Sequence, residues 1–330
     1  MKTTIAIVAG GFSSEHDVSL RSAAGIQSFL DATKYDAYIV RLDEDGWTVQ
    51  YGADTLPIDR SDFSFQSPDG HRRFDFAYIT IHGTPGEDGV LQGYFDLLKI
   101  PYSTSGVLVE ALTFNKYALN NYLRPVSGLH VSDSLLFRRG ETLPDPASVV
   151  ERLGLPLFVK PNAGGSSYGV TKVKSADAFL PAVAAAFEES DEVMAEALLI
   201  GTEVTCGAYL RRDGEVVTFP ITEVVTTQEF FDYDAKYNGK VDEITPARIA
   251  PETARRVSEM TRRIYRLLGC YGIIRIDYIL SGEAGAEQIN LLEVNTTPGM
   301  TATSFIPQQV RAAGLDIADV LSDIIEGRLN

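Results

Sequence analysis

The chain has few of the residues that cross-link secreted proteins and none of the long apolar runs that anchor membrane proteins. Its 330 residues contain only two cysteines, Cys206 and Cys270, which stand far apart and form no CxxC pair. The sequence therefore predicts neither a disulfide framework nor a zinc site. Reduced cysteines fit a cytoplasmic location. No apolar run approaches the roughly 18 residues of a membrane span.

A secretory signal is also missing from the first residues, MKTTIAIVAGG. Their apolar run is short, stops at Gly10 and Gly11, and is followed by charged residues from Glu15 onward. A signal peptide has a longer apolar core and a cleavage site, so a buried first strand is the better interpretation.

Positive charge is scarce as well. The chain has 29 Lys and Arg against 45 Asp and Glu, for a net charge of −16. This balance argues against a general affinity for nucleic acid or anionic membrane, because both require basic patches. It does not exclude an anionic small substrate, which responds to local charges. The length suits about two domains of roughly 150 residues each.

The order of apolar patterns predicts a mixed α/β chain of three subdomains. Residues 1–105 alternate short strands with helices, which is typical of an open parallel α/β layer. Residues 106–192 contain strands joined by glycine-rich connections, and residues 193–330 are mostly strands with a long polar and aromatic segment at 226–245. In the first subdomain we predict strands at 5–9, 37–42 and 76–81 and helices at 18–30 and 91–98.

A first candidate site lies in IAIVAGGFSSEHDVSL, where two glycines follow a strand. Ser14 and Asp17 have the spacing of a capping box, so Glu15 would lie in the first turn of a helix and stay ionised there. A carboxylate at a strand-to-helix corner is well placed to hold a ligand ammonium. The alternative is that Glu15 only stabilises the helix terminus. The dinucleotide fingerprint G-x-G-x-x-G is absent.

The segment ITIHGTPGEDGVLQGYF repeats this arrangement after a later strand. It contains His82 and a glycine-rich loop, with Glu87 and Asp88 just before the next helix. Open α/β sheets bind ligands at such loops. A tight structural connection with a structural histidine is an equally good interpretation.

A glycine-rich connection follows Lys160 in LFVKPNAGGSSYGVTKV. Lys160 ends a buried strand, where a charge needs an anionic partner. Residues 164–167 then offer backbone N–H groups and hydroxyls, and the chain returns directly into another strand without a Walker motif. A flap of this kind can close over a triphosphate, although a plain flexible hairpin remains the alternative.

Two strands in IRIDYILSGEAGAEQINLLEVNTTPGM carry most of the remaining polar chemistry. If their turn is centred near Gly285, Asp277 lies opposite Glu293. Arg275 then lies opposite Asn295 on the same face. The oxygens of Asp277, Glu293 and Asn295 form a donor set that Mg²⁺ prefers, and a cation would remove the repulsion between the carboxylates. Alternatively, Arg275 alone pairs them in a structural ion network; it could also stabilise charge in a transition state.

Taken together, these motifs resemble the D-alanine–D-alanine ligases of the ATP-grasp superfamily. The similarity spans nearly the whole chain in the family's order, in the segments GGFSSEHDVS (10–19), HGTPGEDGVLQG (82–93), NK (115–116), KPNAGGSSYGV (160–170), FFDYDAKY (230–237), RIDY (275–278) and LLEVNTTPGMTATSFIP (291–307). The resemblance implies an ATP-grasp fold in which a small central β/α subdomain carries the flap. The C-terminal subdomain then has a large, mostly antiparallel sheet, the magnesium site and a mobile lid at 226–245.

The resemblance also implies a reaction. ATP phosphorylates the carboxylate of one D-alanine, and the amine of a second attacks the acyl phosphate, which yields D-alanyl-D-alanine for peptidoglycan precursors. The implied cofactors are ATP and a pair of Mg²⁺ ions that Mn²⁺ can replace, and the implied assembly is a cytoplasmic homodimer. A flap and a lid would keep water from the acyl phosphate.

Residue roles follow from the same resemblance. Glu15 would bind the first ammonium together with Ser166 and Tyr237, and Arg275 would stabilise the tetrahedral intermediate. Residues expected around the substrates are His82, Gly299, Ser304, which would hold the second carboxylate, and Phe305. Residues expected at ATP are Lys116, Lys160, Ser167, Glu196, Leu199, Glu203 and Lys236; the metal ligands are Asp277, Glu293 and Asn295.

The chain departs from many relatives at Ala197, which removes one side-chain contact near adenine, and at Phe305, which could narrow the second-substrate pocket. The lid with Tyr237 resembles the dipeptide-forming type and favours D-alanine over D-lactate. No residue stands out as the base for the attacking amine. Two rival hypotheses, a dinucleotide-dependent oxidoreductase and a non-catalytic nucleotide-binding relative, lack support because the glycine fingerprint is absent and the predicted metal and arginine residues are present.

Overall fold

The computed structural model describes residues 2–165, 168–226 and 241–329. Ser166, Ser167, Lys236 and Tyr237 lie outside the described residues, as does most of the predicted lid at 226–245. Across the described ranges, none of the helices is both long and apolar enough to cross a membrane.

The first sheet has a parallel centre and an antiparallel extension. Strand β1 pairs in parallel with β2 and β7, as the sequence predicts. The four strands at 46–72 continue the sheet in antiparallel order and were not predicted, because they are short and several positions face solvent. The elements are β1 (Thr3–Gly10), α1 (His16–Phe29), β2 (Tyr35–Asp43), β3 (Gly46–Tyr51), β4 (Asp54–Asp59), β5 (Ser64–Ser67), β6 (Gly70–Arg72), β7 (Phe76–Ile79) and α2 (Val90–Leu98).

A small antiparallel sheet forms the middle of the molecule, with strand order β11-β10-β12-β9. Two helices pack on it through an apolar cluster that includes Leu157, Phe179 and Val183. The elements are β9 (Ser134–Arg138), α5 (Pro146–Leu153), β10 (Leu157–Pro161), β11 (Thr171–Val173), α6 (Phe179–Phe187) and β12 (Glu192–Ala197). The glycine-rich connection predicted as a flap joins β10 to β11.

The third sheet is antiparallel except at one edge. Its order is β16-β15-β13-β17-β18-β8, with β14 paired to β13, and only β8 runs parallel to its neighbour. Helix α7 buries Val257, Ile264 and Tyr265 against it. The elements are α3 (Val107–Phe114), α4 (Lys116–Leu123), β8 (Leu129–Val131), β13 (Thr202–Leu210), β14 (Val216–Thr218), β15 (Thr222–Thr226), β16 (Val241–Ile244), α7 (Pro251–Leu268), β17 (Ile274–Ser281) and β18 (Gln288–Asn295).

Two segments lie across the boundaries proposed at 106 and 193. Strand β8 belongs to the third sheet, and side chains of α3 and α4 join its core. Strand β12, which begins at Glu192, lies inside the middle sheet. The division into three subdomains stays a prediction. These contacts group residues 107–131 with the third sheet, and they extend the middle sheet to Ala197, a few residues past the boundary proposed at 193.

The first and third sheets share an apolar core. Ile7 of β1 and Ile26 of α1 belong to the same buried cluster as Ile306 and Ile324. Ile306 lies on helix α8 (Phe305–Ala312), and Ile324 lies on helix α9 (Ile317–Leu329). This core fixes the loop after β1 relative to the hairpin of β17 and β18.

Candidate active site

The hairpin of β17 and β18 has the predicted register. Asp277 lies opposite Glu293, and Arg275 lies opposite Asn295. The register shifts just after Asp277, so that Leu292 is the extra residue of a β-bulge. The bulge lets successive residues of β18 reach the same cavity. The predicted pairing is therefore confirmed from Arg275 to Asp277. Between Tyr278 and the turn, each residue pairs one position away from its predicted partner.

An ion pair links the polar side chains of this hairpin. Arg275 donates from Nε to Asp277 Oδ1 at 2.9 Å and from Nη2 to Oδ2 at 2.7 Å. The side chains are only 14% and 8% exposed. Burial by itself would lower the pKa of Arg275, but Asp277 and the nearby acidic groups raise it overall, so the guanidinium stays charged.

Asn295 joins the two carboxylates. Its Nδ2 lies 3.1 Å from Asp277 Oδ2 and 3.5 Å from Glu293 Oε1. No group of three His, Cys, Asp or Glu side chains suited to a metal occurs in the described part of the chain. Two carboxylates and one amide still fit Mg²⁺, because this ion usually takes its other oxygen ligands from water and phosphate.

A cavity of about 250 Å³ lies beside the hairpin. Residues from the loops after β1 and β7, from α3 and α4, from the glycine-rich connection and from β18 surround it. The predicted site residues that line it are Glu15, His82, Lys116, Arg275, Glu293, Asn295, Gly299, Ser304 and Phe305. The structure thus brings together groups that lie far apart in the sequence.

Glu15 reaches this cavity from the residue that precedes α1. The predicted capping box of Ser14 and Asp17 is wrong, because no side chain caps this helix. Instead, Ser13 Oγ donates to the carbonyl of His82 at 2.7 Å and accepts the Glu15 N–H at 3.2 Å. A long-range contact between two loops therefore replaces the local cap.

The Glu15 carboxylate lies against the glycine-rich connection. A Cβ atom placed on Gly165 would come within 2.2 Å of Glu15 Oε2. Any larger residue at this position would therefore displace the Glu15 carboxylate from its present place. Glu15 thus lies where the loop after β1 meets the connection between β10 and β11.

His82 and Glu87 complete this side of the cavity. His82 is buried, and its Nε2 has no hydrogen-bond partner among the described residues. Gly83 donates its N–H to Glu87 Oε2 at 2.7 Å. Desolvation raises the pKa of Glu87; the nearby His82 opposes this change and Glu15 adds to it.

Among the described residues predicted at ATP, Lys116 lines the cavity, and Lys160, Glu196, Leu199 and Glu203 do not. Lys160 Nζ lies 2.5 Å from Glu196 Oε1, and both side chains are buried, so Glu196 supplies the anionic partner that Lys160 requires. Lys116 lines the cavity and donates to the carbonyl of Gly164 at 2.6 Å. Leu199 follows β12, and Glu203 lies on β13 opposite Ile279 of β17. The predicted metal ligand Asp277 also lies outside the cavity lining.

Sequence reasoning missed several residues that position this site. Thr296 Oγ1 hydrogen-bonds the fully buried carboxyl of Glu110, whose pKa lies well above its ordinary value because of desolvation. Thr297 Oγ1 donates to the carbonyl of Ile81 at 3.2 Å. A lone acid in the apolar helix VLVEALTF was the available signal for Glu110.

Glu243 was also missed. It lines the cavity and accepts a hydrogen bond from Gln308 Nε2 at 2.6 Å. Partial desolvation raises its pKa, and Gln308 and Arg275 oppose that change. No motif in the sequence marks this residue.

Comparison with known families agrees with this geometry. The family described as D-ala D-ala ligase N-terminus matches residues 4–105, and the one described as D-ala D-ala ligase C-terminus matches residues 124–326. The chain belongs to the D-alanine–D-alanine ligase family. It is 61% identical to the D-alanine–D-alanine ligase of Bacteroides fragilis over 99% of this chain and 100% of that protein.

Solved structures of the D-alanine–D-alanine ligase family extend the likeness to the whole fold. A D-alanyl-alanine synthetase A from Vibrio cholerae is 29% identical, with a TM-score of 0.87 over 99% of this chain and 98% of that one. A D-alanine–D-alanine ligase from Bacillus anthracis complexed with ATP is 29% identical, with a TM-score of 0.76 over 99% and 97%. The predicted ATP-grasp fold is therefore confirmed.

Proposed function

We propose that this enzyme uses ATP to join two D-alanine molecules through an acyl phosphate. The observation that carries the proposal is that Glu15 lines the same cavity as Arg275, Glu293 and Asn295. A carboxylate that can hold an ammonium thus shares a cavity with the proposed metal ligands. This is the arrangement needed to bring an amino-acid carboxylate to a phosphate.

The first D-alanine would place its ammonium at Glu15 and its carboxylate toward Arg275. The buried guanidinium remains charged and is aimed by Asp277. It can therefore stabilise negative charge as the carboxylate attacks phosphorus and again when the amine attacks the acyl carbon. His82 Nε2 is buried and has no hydrogen-bond partner in the described part of the chain, so a bound substrate could satisfy it.

Asp277, Glu293 and Asn295 would hold Mg²⁺. When bound, the ion neutralises charge on the phosphates and orients the terminal phosphoryl group. In the protein alone, Arg275 pairs with Asp277, and Asn295 donates a hydrogen bond to the same carboxylate. These contacts offset part of the repulsion between the two facing carboxylates.

The nucleotide would lie between the middle sheet and the hairpin. Lys116 and Lys160 are proposed to meet its phosphates, and Glu196, Leu199 and Glu203 its adenosine. Lys160 then exchanges or shares its contact with Glu196 as phosphate arrives. The proposed roles of Ser166, Ser167, Lys236 and Tyr237 rest on the family resemblance.

The second D-alanine is proposed to bind at Ser304, next to Gly299 and Phe305. Ser304 precedes the first residue of α8, and the N-terminus of a helix favours a carboxylate. The Phe305 ring lies 5.1 Å from the Arg275 guanidinium carbon. This stacking would narrow the pocket and favour a small side chain.

A cytoplasmic homodimer that makes peptidoglycan precursors is proposed with this activity. Exposed apolar side chains on α2 and α3, which include Val90, Leu97 and Leu108, support an interface between copies. Burial of this surface against a second chain would remove it from water.

The proposal is tested by incubating the protein with ATP, Mg²⁺ and D-alanine and measuring phosphate. We expect phosphate release that depends on D-alanine, and D-alanyl-D-alanine as the product in mass analysis. Phosphate at the level found without amino acid would contradict the proposal.

A further inference from the structure

The cavity is lined by four carboxylates, counted over the described residues. Glu15 and Glu293 already have proposed partners in the first ammonium and the cation. Glu87 accepts the N–H of Gly83 within its own loop. Glu243 is the remaining carboxylate, and the proposed reaction has so far given it no role.

Glu243 is held next to the proposed second-substrate pocket. Gln308 Nε2 donates to Glu243 Oε2 at 2.6 Å and to the carbonyl of Thr303 at 2.7 Å. The backbone N–H of Gln308 donates to Ser304 one helical turn earlier. The carboxylate of Glu243 is therefore attached to the same turn of α8 that Ser304 begins.

The chemistry of an amino acid suits this arrangement, in which Glu243 and Ser304 are both bonded to Gln308. Its carboxylate and its ammonium are attached to one carbon, so an amino acid whose carboxylate contacts Ser304 presents its ammonium to groups close by. Within the cavity lining, Glu243 is the acidic residue tied to α8. A carboxylate attracts an ammonium through a charge-assisted hydrogen bond, which is stronger than its bond to a neutral hydroxyl.

We propose that Glu243 accepts a hydrogen bond from the ammonium of the second D-alanine and thereby selects an amino acid over the corresponding hydroxy acid. The inference rests on the proposed ligase function and assigns a residue to its second substrate. Glu243 is thus a specificity-determining residue for the attacking group.

The test compares Glu243→Gln with Asp242→Asn. Glutamine keeps the size of the side chain and an oxygen that can accept from Gln308, but it removes the charge. Asp242 is the neighbour on β16 and is exposed, as Glu243 is, but strand alternation places it on the opposite face and it does not line the cavity. It therefore serves as a control for loss of one negative charge nearby.

For Glu243→Gln we expect the KM of the second D-alanine to rise about tenfold, which is the size of one charged hydrogen bond. The KM of ATP and the melting temperature should not change. With D-alanine and D-lactate supplied together, the ratio of dipeptide to depsipeptide in mass analysis should fall. Asp242→Asn should behave as the unmodified enzyme does.

Two results would overturn the inference. The first is an unchanged second KM together with an unchanged product ratio in Glu243→Gln. The second is an equal loss for ATP and both D-alanines, which would show that Glu243 only supports α8. In either case, D-alanine-dependent phosphate release by the unmodified enzyme would leave the proposed function standing, whereas its absence would defeat both.

Discussion

The two walls of the cavity are built in different ways. On the C-terminal wall, Arg275 and Asn295 both bond Asp277, a residue of the same hairpin that does not itself line the cavity. On the N-terminal wall, Glu15 lies against Gly165 of the connection between β10 and β11, and His82 keeps a buried nitrogen without a partner among the described residues. The first wall is therefore preorganised by its own strands, whereas the second depends on the glycine-rich connection and, as we propose, on bound substrate.

The largest effect is expected when the hairpin loses Asp277, the carboxylate that holds the two side chains of the C-terminal wall. Asp277→Ala would leave Arg275 as a buried charge without its bidentate partner, at a cost of about 3–5 kcal/mol in the free energy of unfolding. It would also remove a proposed metal ligand, so D-alanine-dependent phosphate release should be lost. Urea unfolding and the phosphate assay measure the two effects.

A matched control comes from an exposed pair of the same spacing. Arg211 and Asp213 are also two residues apart, and their side chains are 42% and 55% exposed. Asp213→Ala should change stability little, because solvent screens such a pair. Equal losses of stability in the two aspartate variants would contradict a preorganised C-terminal wall.

The Lys160–Glu196 pair extends the comparison to the nucleotide side. Lys160→Met leaves Glu196 buried and unpaired, and we expect a loss of about 3–5 kcal/mol in unfolding free energy. Adding Glu196→Leu should restore most of the stability, since an apolar pair is a tolerable replacement. ATP binding, measured by calorimetry, should stay weak in the double variant. Recovery of ATP binding would show that Lys160 has no phosphate contact.

On the N-terminal wall, Glu15→Gln should weaken the use of D-alanine while ATP binding is spared. Loss of a charged hydrogen bond of about 1.5–3 kcal/mol lowers kcat/KM for D-alanine by about ten- to hundredfold. Asp17→Asn, an exposed carboxylate two residues away, is the control. Unchanged D-alanine kinetics in Glu15→Gln would refute the role of Glu15.

The smallest effect concerns pH and the same strand-to-helix corner. His16 Nε2 lies 2.8 Å from Asp43 Oδ1, and this hydrogen bond raises the pKa of His16. Because the pKa is raised in the folded state, the stabilisation is complete below the unfolded pKa of about 6.5 and is lost as pH rises through the folded pKa. We expect the contact to contribute less than about 1 kcal/mol to the free energy of unfolding, because the pair is partly exposed.

This pH effect is measured by urea unfolding of the unmodified protein and His16→Asn across about pH 6 to pH 8. The difference in unfolding free energy between them should shrink as pH rises. A difference that grows with pH would contradict the assigned direction.

Sequence patterns predicted the structure best where it depends on residues that are close together in the chain. Alternation of side chains along two strands was enough to pair Asp277 with Glu293, since strand periodicity and a glycine-rich turn fix the register. The bulge at Leu292 was not predicted, because it depends on how the sheet twists. The capping box failed at Ser14 because Ser13 is engaged with His82, which lies in another loop.

Contacts between distant segments account for the rest of what was missed. Glu110 bonds Thr296 across 186 positions, and Glu243 bonds Gln308 across 65. In the sequence, nothing near Glu110 on α3 or Glu243 on β16 indicates these distant partners. Packing between distant segments brings Glu243 to the cavity and places Glu110 against Thr296, which lines it.

In the proposed mechanism, this cavity moves a phosphoryl group from ATP to the carboxylate of D-alanine. The most direct test supplies D-alanine with a heavy oxygen isotope in its carboxylate, together with ATP and Mg²⁺, and analyses the released phosphate by mass spectrometry. An acyl phosphate transfers one carboxylate oxygen to phosphate when the amine displaces it, so we predict labelled phosphate in proportion to dipeptide. Dipeptide formed with unlabelled phosphate would contradict the account.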